Sequence, residues 1–207
     1  MSTRQSWSFP KFKMSLPDWI PSALPERGHQ FDSDESKMML AITLSKLNCE
    51  YGTGGPFGAA IFNAKTGTLV APGVNLVQSL GISGAHAEMV SIALAQKTLG
   101  FLDLGSDPNT SYELFSSTEP CAMCMGCITW SGITRLVCGA NDADARAIGF
   151  DEGVKALDWI EQFKQRGISV DLGIHRENAA SVLSEYKEHG GLIYNGRANI
   201  QNYIHFA

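Results

Sequence analysis

The stretch Thr118-Glu119-Pro120-Cys121-Ala122-Met123-Cys124 decides the reading of this chain, together with His86-Ala87-Glu88 upstream of it. Cys121 and Cys124 stand three residues apart at the start of a predicted helix, so both sulfurs share one face. A helix N-terminus carries partial positive charge and free N–H groups, which favour the thiolate, the form that binds metal. His86 stands at the start of another predicted helix, behind a glycine-containing loop. One imidazole and two thiolates are the three protein ligands of a catalytic zinc, which keeps its fourth position for water. Glu88 is not needed as a ligand and is free to move protons. A lone Cys-x-x-Cys would fit a redox pair or half of a structural zinc site, and a lone His-x-Glu carries almost no information. Both in this order, the second behind Thr-Glu-Pro, point to one catalytic Zn2+ per chain held by His86, Cys121 and Cys124. Cys127 continues the three-residue spacing and is the obvious fourth ligand of a structural site. It lies a turn deeper, beyond the free N–H groups, and reads as a packing thiol, as do Cys49 and Cys138.

The rest of the chain sets the context. Its 207 residues, 44% hydrophobic and 18% charged, suit one soluble domain with a decorated edge. No apolar run approaches a membrane span, and the N-terminus lacks a secretory pattern. Five cysteines, an odd number, without a secretory signal argue against a disulfide framework and for a reducing, cytoplasmic setting. The net charge of -5 and pI near 5.5 lack the basic footprint of a nucleic-acid binder.

Residues 1–33 read as an irregular arm broken by Pro10, Pro17, Pro21 and Pro25. Trp7, Phe9, Phe12, Leu16, Trp19 and Ile20 make it too apolar for a free tail, so it is expected to pack on its own domain or on a partner subunit. Ser33 or Asp34 caps a predicted helix to about Glu50. A strand over 57–62, a turn at 63–67 and a returning strand over 68–77, bent at Pro72-Gly73, form a hairpin. A flexible loop over 78–85 follows. Predicted helices then cover 86–99, 120–132, 154–166 and 178–189, with Pro120 opening the second of these. Strands cover 112–116, 134–138 and 168–172, and 139–153 is a long polar loop. A hairpin followed by alternating helices and strands gives an α/β fold: a three-layer α-β-α sandwich around a mixed sheet. The domain boundaries are an arm at 1–33, a catalytic domain at 34–197 and a tail at 198–207.

His-x-Glu followed by Pro-Cys-x-x-Cys is the known signature of zinc deaminases acting on nucleobases. The stretch from Thr118 through Met125-Gly126-Cys127-Ile128-Thr129-Trp130 resembles the cytidine deaminase-like superfamily, and its ending most resembles the bacterial guanine deaminases, whose relatives include an ammeline-active form. Gly55-Pro56-Phe57-Gly58-Ala59-Ala60, Ala85-His86-Ala87-Glu88 and Ala147-Ile148-Gly149-Phe150-Asp151-Glu152-Gly153 carry the same likeness. Cys127 departs from it, standing where the family usually has Ala. The resemblance implies a cytidine deaminase-like fold, a zinc-dependent hydrolytic deaminase and a homodimer, with C-terminal segments such as Tyr194-Asn195-Gly196-Arg197 exchanged between subunits. Glu88 would take a proton from water and pass protons to the ring and the leaving amine. The resemblance also implies that Glu152 contacts the substrate and joins the proton shuttle, the other reading being that Asp151 and Glu152 cap a helix from Val154. It implies further that Asn75, Phe57, Ala87 and Trp130 contact the base. The substrate so implied is free guanine; ammeline, guanosine or cytosine would use the same chemistry. A tRNA adenosine deaminase and a metal-stabilised interaction module are the readings from other classes.

Overall fold

The computed structural model describes residues 7–196. Arg197, the tail at 198–207 and residues 1–6 lie outside the described residues. The elements are α1 (Ile20–Ala23), α2 (Asp34–Glu50), β1 (Gly58–Asn63), β2 (Leu69–Val74), α3 (Val77–Leu80), α4 (Ala87–Leu99) and β3 (Tyr112–Thr118). They continue as α5 (Ala122–Ser131), β4 (Arg135–Ala140), α6 (Asp142–Ile148), α7 (Trp159–Gln165), β5 (Ser169–Asp171) and α8 (Arg176–Glu188).

The sheet runs β2-β1-β3-β4-β5. β1 is antiparallel to β2 and β3, while β3, β4 and β5 are parallel. Side chains alternate between two cores, as the period of two in a strand requires. Ala60, Phe62, Phe115 and Val137 face α2 and α8, where Met38, Leu44, Val182 and Leu183 meet them. Ala59, Ile61, Leu114 and Leu136 face the other way, onto Ile92 and Ala95 of α4, Ile128 of α5 and Phe163 of α7. The mixed sheet with helices on both faces is the expected three-layer α-β-α sandwich.

α2 begins at a capping box: Ser33 and Ser36 each accept from the other's backbone N–H, at 3.2 and 3.3 Å. Its first turn carries Asp34, and Arg135 beside it holds that carboxyl below its ordinary value. Residues of the arm pack on the first core through Met14, Leu16, Trp19, Leu24 and Phe31. Trp19 stacks on Tyr51 at 5.3 Å and donates to Thr53 Oγ1 at 3.2 Å. Trp7, Phe9 and Phe12 stay exposed.

Several boundaries differ from the sequence expectations. The irregularity of the hairpin falls at Val70 in β2, which is passed over between the pairs Ile61–Ala71 and Phe62–Leu69, not at Pro72-Gly73. Pro72 is tolerated because β2 is an edge strand. Residues 78–85 are not all loop, since α3 starts at Val77. The expected loop at 139–153 contains α6, nucleated by a capping box between Asn141 and Asp144. The helix expected from Val154 starts only at Trp159, and Val154 and Leu157 are fully exposed. Pro120 lies just outside α5, whose N-cap is Cys121. The arm also contains α1 and a bridge between Gln30 and Thr68.

Gly73 sets how closely α4 sits on the sheet. A Cβ at this position would lie 2.2 Å from the Ala87 carbonyl oxygen and 2.7 Å from the Ser91 nitrogen. Only a residue without a side chain lets the start of α4, and with it His86 and Glu88, approach the hairpin this closely.

Candidate zinc and active site

Two helix starts converge at one end of the sheet. His86 is the N-cap of α4 and Glu88 lies in its first turn. β3 ends at Thr118, and Cys121 caps α5 with Cys124 one turn on. The helix starts supply rigid backbone, and the short link after β3 brings them together.

The three expected ligands meet. Cys121 Sγ lies 3.4 Å from His86 Nδ1, Cys124 Sγ lies 3.5 Å from it, and the sulfurs are 3.6 Å apart. Tetrahedral zinc with ordinary Zn–S and Zn–N bonds needs about 3.6 Å between sulfur and nitrogen and about 3.8 Å between sulfurs. The triangle therefore fits a zinc ion almost without adjustment. No other group of three or more His, Cys, Asp or Glu side chains converges in this way among the described residues. Cys127 stands apart, half-buried at the edge of the second core, and burial raises its thiol pKa. Cys138 is buried in that core, and Cys49 is half-buried with its thiol donating to the Ser45 carbonyl at 3.2 Å.

The electrostatics favour a metal-binding thiolate. The hydrogen bond from Cys124 holds the Cys121 thiol down at about 4, against the opposing effect of burial. Burial disfavours the charged form of His86, but the negative groups around it, Cys121 foremost, outweigh this and raise its pKa. Burial also raises Glu88, with the Cys121 charge adding to it. Glu88 Oε2 lies 3.5 Å from Cys124 Sγ, close to the triad yet outside the ligand set.

A cavity of about 350 Å³ opens beside the triad, within the range of small-molecule sites. Phe57, Asn75 and Glu152 line it together with Glu88. The Asn75 side-chain oxygen accepts from the Val77 N–H at 3.2 Å, which fixes the amide against the cavity. The Asn75 carbonyl accepts from Asn48 Nδ2 at 2.9 Å. Phe57 meets Phe150 edge to face, ring centroids 4.9 Å apart. Glu152 is buried, and burial first, then the Cys121 charge, pushes its pKa up to about 7. Because no helix starts at Val154, Glu152 caps none.

Two expected contacts are not at the cavity. Trp130 is 80% exposed. A helix climbing about 1.5 Å per residue carries this last-turn position well away from Cys121. Ala87 is fully buried in the second core rather than in the cavity. Phe150 and Leu192 also form the wall, without a role that their sequence positions predict. Phe150 lies in a stretch singled out for resemblance, and its aromatic ring was the available signal. Leu192, Tyr194, Asn195 and Gly196 line the cavity of their own chain.

Residues 32–140 match the family model described as the cytidine and deoxycytidylate deaminase zinc-binding region. A solved guanine deaminase from Nitrosomonas europaea is 37% identical, with a TM-score of 0.82, covering 88% of this chain and all of that one. The guanine deaminase of Bacillus subtilis (strain 168) is 37% identical over 57% of this chain and 71% of its own length. The tRNA-specific adenosine deaminase of the same organism is 36% identical over 74% of this chain and 88% of its own. With its His-Cys-Cys triad on paired helix starts, the chain belongs to the cytidine and deoxycytidylate deaminase zinc-binding family, the zinc-dependent hydrolytic deaminases.

Proposed function

We propose that this chain converts free guanine and water to xanthine and ammonia. The observation that carries the reading is that Asn75, Phe57 and Glu152, on three separate segments, face one cavity beside the metal triad. Likeness to a guanine deaminase over 88% of this chain supports the purine ring. The acidic balance of the chain argues against a tRNA substrate.

Bound at His86, Cys121 and Cys124, zinc supplies a Lewis acid that brings the pKa of water down to roughly 7. Glu88 then accepts a proton from the attacking water and delivers it to a ring nitrogen. The oxygen bonds to the amine-bearing carbon, and the carbon–nitrogen bond breaks as the protonated amine leaves as ammonia. Glu152 donates toward the departing amine in its neutral form and is reprotonated from the water-derived hydroxyl. The Asn75 amide offers both a donor and an acceptor to the purine edge. Phe57 and Phe150 wall the ring.

The reading extends to the domain at 34–197 with its arm at 1–33, to a homodimer and to a cytoplasmic setting. Val154, Leu157 and Trp130 leave large apolar surface bare on one protomer, which a second copy would cover. All five cysteines are free thiols. No helix among the described residues is long and apolar enough to cross a membrane.

The test is conversion of guanine to xanthine followed across pH. Glu152 is neutral below its pKa of about 7 and ionised above it. Turnover should therefore fall as pH rises through that value, and Glu152→Gln should remove this limb of the profile. No xanthine at any pH would overturn the substrate; an unchanged limb in Glu152→Gln would overturn the role of Glu152.

A further inference from the structure

Glu152 sits on an irregular stretch between α6 and α7, and nothing in its local backbone pattern explains why it holds one place at the cavity. The contacts around it do. The Ala122 N–H donates to the Glu152 carbonyl at 3.0 Å, tying the segment to the start of α5. Arg146 Nη2 donates to the Gly153 carbonyl at 2.7 Å. The Gly153 N–H donates to Asp151 Oδ1 at 2.9 Å, closing a turn across Glu152. Gly153 has φ +72°, and a Cβ on it would meet the Ala122 Cβ at 3.0 Å, so the turn is built for close approach.

Asp142 joins the two sides of this turn. Its Oδ2 accepts from Arg146 Nε at 2.5 Å, and its Oδ1 pairs with Lys155 Nζ at 2.5 Å. Arg146 reaches Gly153, immediately after Glu152, while Lys155 lies two residues further on, with its side chain only 9% exposed. α6 thus grips the segment just past Glu152 at two points, through Asp142 in its first turn and Arg146 in its last.

We propose that Asp142, Arg146 and Lys155 are positioning residues that clamp the Glu152 turn against the start of α5 and so hold the carboxyl at the reacting amine. This rests on the role given to Glu152 above. The clamp does not touch the substrate and leaves the metal ligands alone. Arg146 is substantially exposed, with side-chain accessibility of 41%. An exposed ion pair contributes little to global stability, so a merely structural role predicts that its loss is nearly silent. A displaced catalytic group, by contrast, loses turnover steeply with distance.

The experiment compares Arg146→Ala, Arg146→Lys and Asp142→Asn with the unaltered zinc-loaded protein. Zinc content, melting temperature, kcat and KM are measured, with hydrogen exchange of peptides spanning 149–156. Arg146→Ala should keep its zinc and its melting temperature and exchange faster in 149–156 but not in α2. Its kcat should fall roughly 10- to 100-fold with a smaller change in KM. Arg146→Lys should recover only part of this, because an ammonium cannot serve Asp142 and Gly153 together in the geometry of a guanidinium. Asp142→Asn should reproduce the exchange effect. Unchanged exchange in 149–156, unchanged kcat, or a loss of kcat matched by lost zinc would each overturn the clamp. The exchange measurement does not depend on which ring is turned over. A protein that ignores guanine therefore sinks the substrate reading while exchange still decides the clamp.

Discussion

Glu88→Gln keeps its zinc and loses turnover by at least two to four orders of magnitude, the usual worth of a positioned acid–base group. Glu88 is buried at the start of α4, with its carboxyl 3.5 Å from Cys124 Sγ and facing the same cavity as Asn75. The triad closes without it at spacings that already suit a tetrahedral ion, so an amide there should leave binding of the metal intact. What the amide removes is the ability to accept a proton from water and hand it to the ring. Because one group handles that proton in both directions, the loss appears in kcat and in kcat/KM alike. Metal analysis and steady-state kinetics on the same preparation check it. Normal deamination by Glu88→Gln would remove Glu88 from the mechanism, and loss of zinc would make it a ligand.

The second large effect concerns stability and lies at the other end of β3. Glu113 is 3% exposed and Lys37 8% exposed. They are paired at 2.5 Å, and Arg135 reaches the other Glu113 oxygen at 3.0 Å. Arg135 also pairs with Asp34 and Asp171, and these contacts raise its pKa further. One network therefore ties the first turn of α2 to β3, β4 and β5. Glu113→Leu strands the Lys37 ammonium in the core, which costs about 3–5 kcal/mol. For a chain of this size that lowers the melting temperature by on the order of 10 °C. The double variant Lys37→Met with Glu113→Leu should be distinctly milder than Glu113→Leu alone, because no charge is left without a partner. Thermal unfolding of the unaltered protein, Glu113→Leu, Lys37→Met and the double variant checks this. A double variant as damaged as the sum of the two singles would contradict the coupling. The fraction that stays folded should keep its kcat, since Glu113 lies near the start of the strand whose far end leads to Cys121.

The metal site was legible in the sequence because it is local twice over. Cys121 and Cys124 share a helix turn, His86 and Glu88 share another, and helix geometry aims each pair without reference to the fold. The sandwich was legible for a similar reason, since the unbroken apolar run Ala59-Ala60-Ile61-Phe62 marks a strand buried on both faces. What failed was less local. The 139–153 stretch reads as polar loop by composition, yet the Asn141 and Asp144 pair is a capping box that could have marked α6. Val154 and Leu157 look like the first turn of a buried helix but are exposed, so apolar character alone placed α7 too early. Trp130 matches its family by likeness alone, and its position in the last turn of α5 keeps it out of the cavity of its own protomer. The wall built from Leu192, Tyr194 and Asn195 depends on a chain end folding back over the site, for which no periodicity exists to read.

Specificity constants over guanine, guanosine, ammeline, cytosine, cytidine and adenine, measured by ammonia release on protein of known zinc content, test the central claim most directly. Guanine should give the highest kcat/KM, in preparations holding close to one zinc per chain. No ammonia from guanine, or full activity in protein free of metal, would contradict the account.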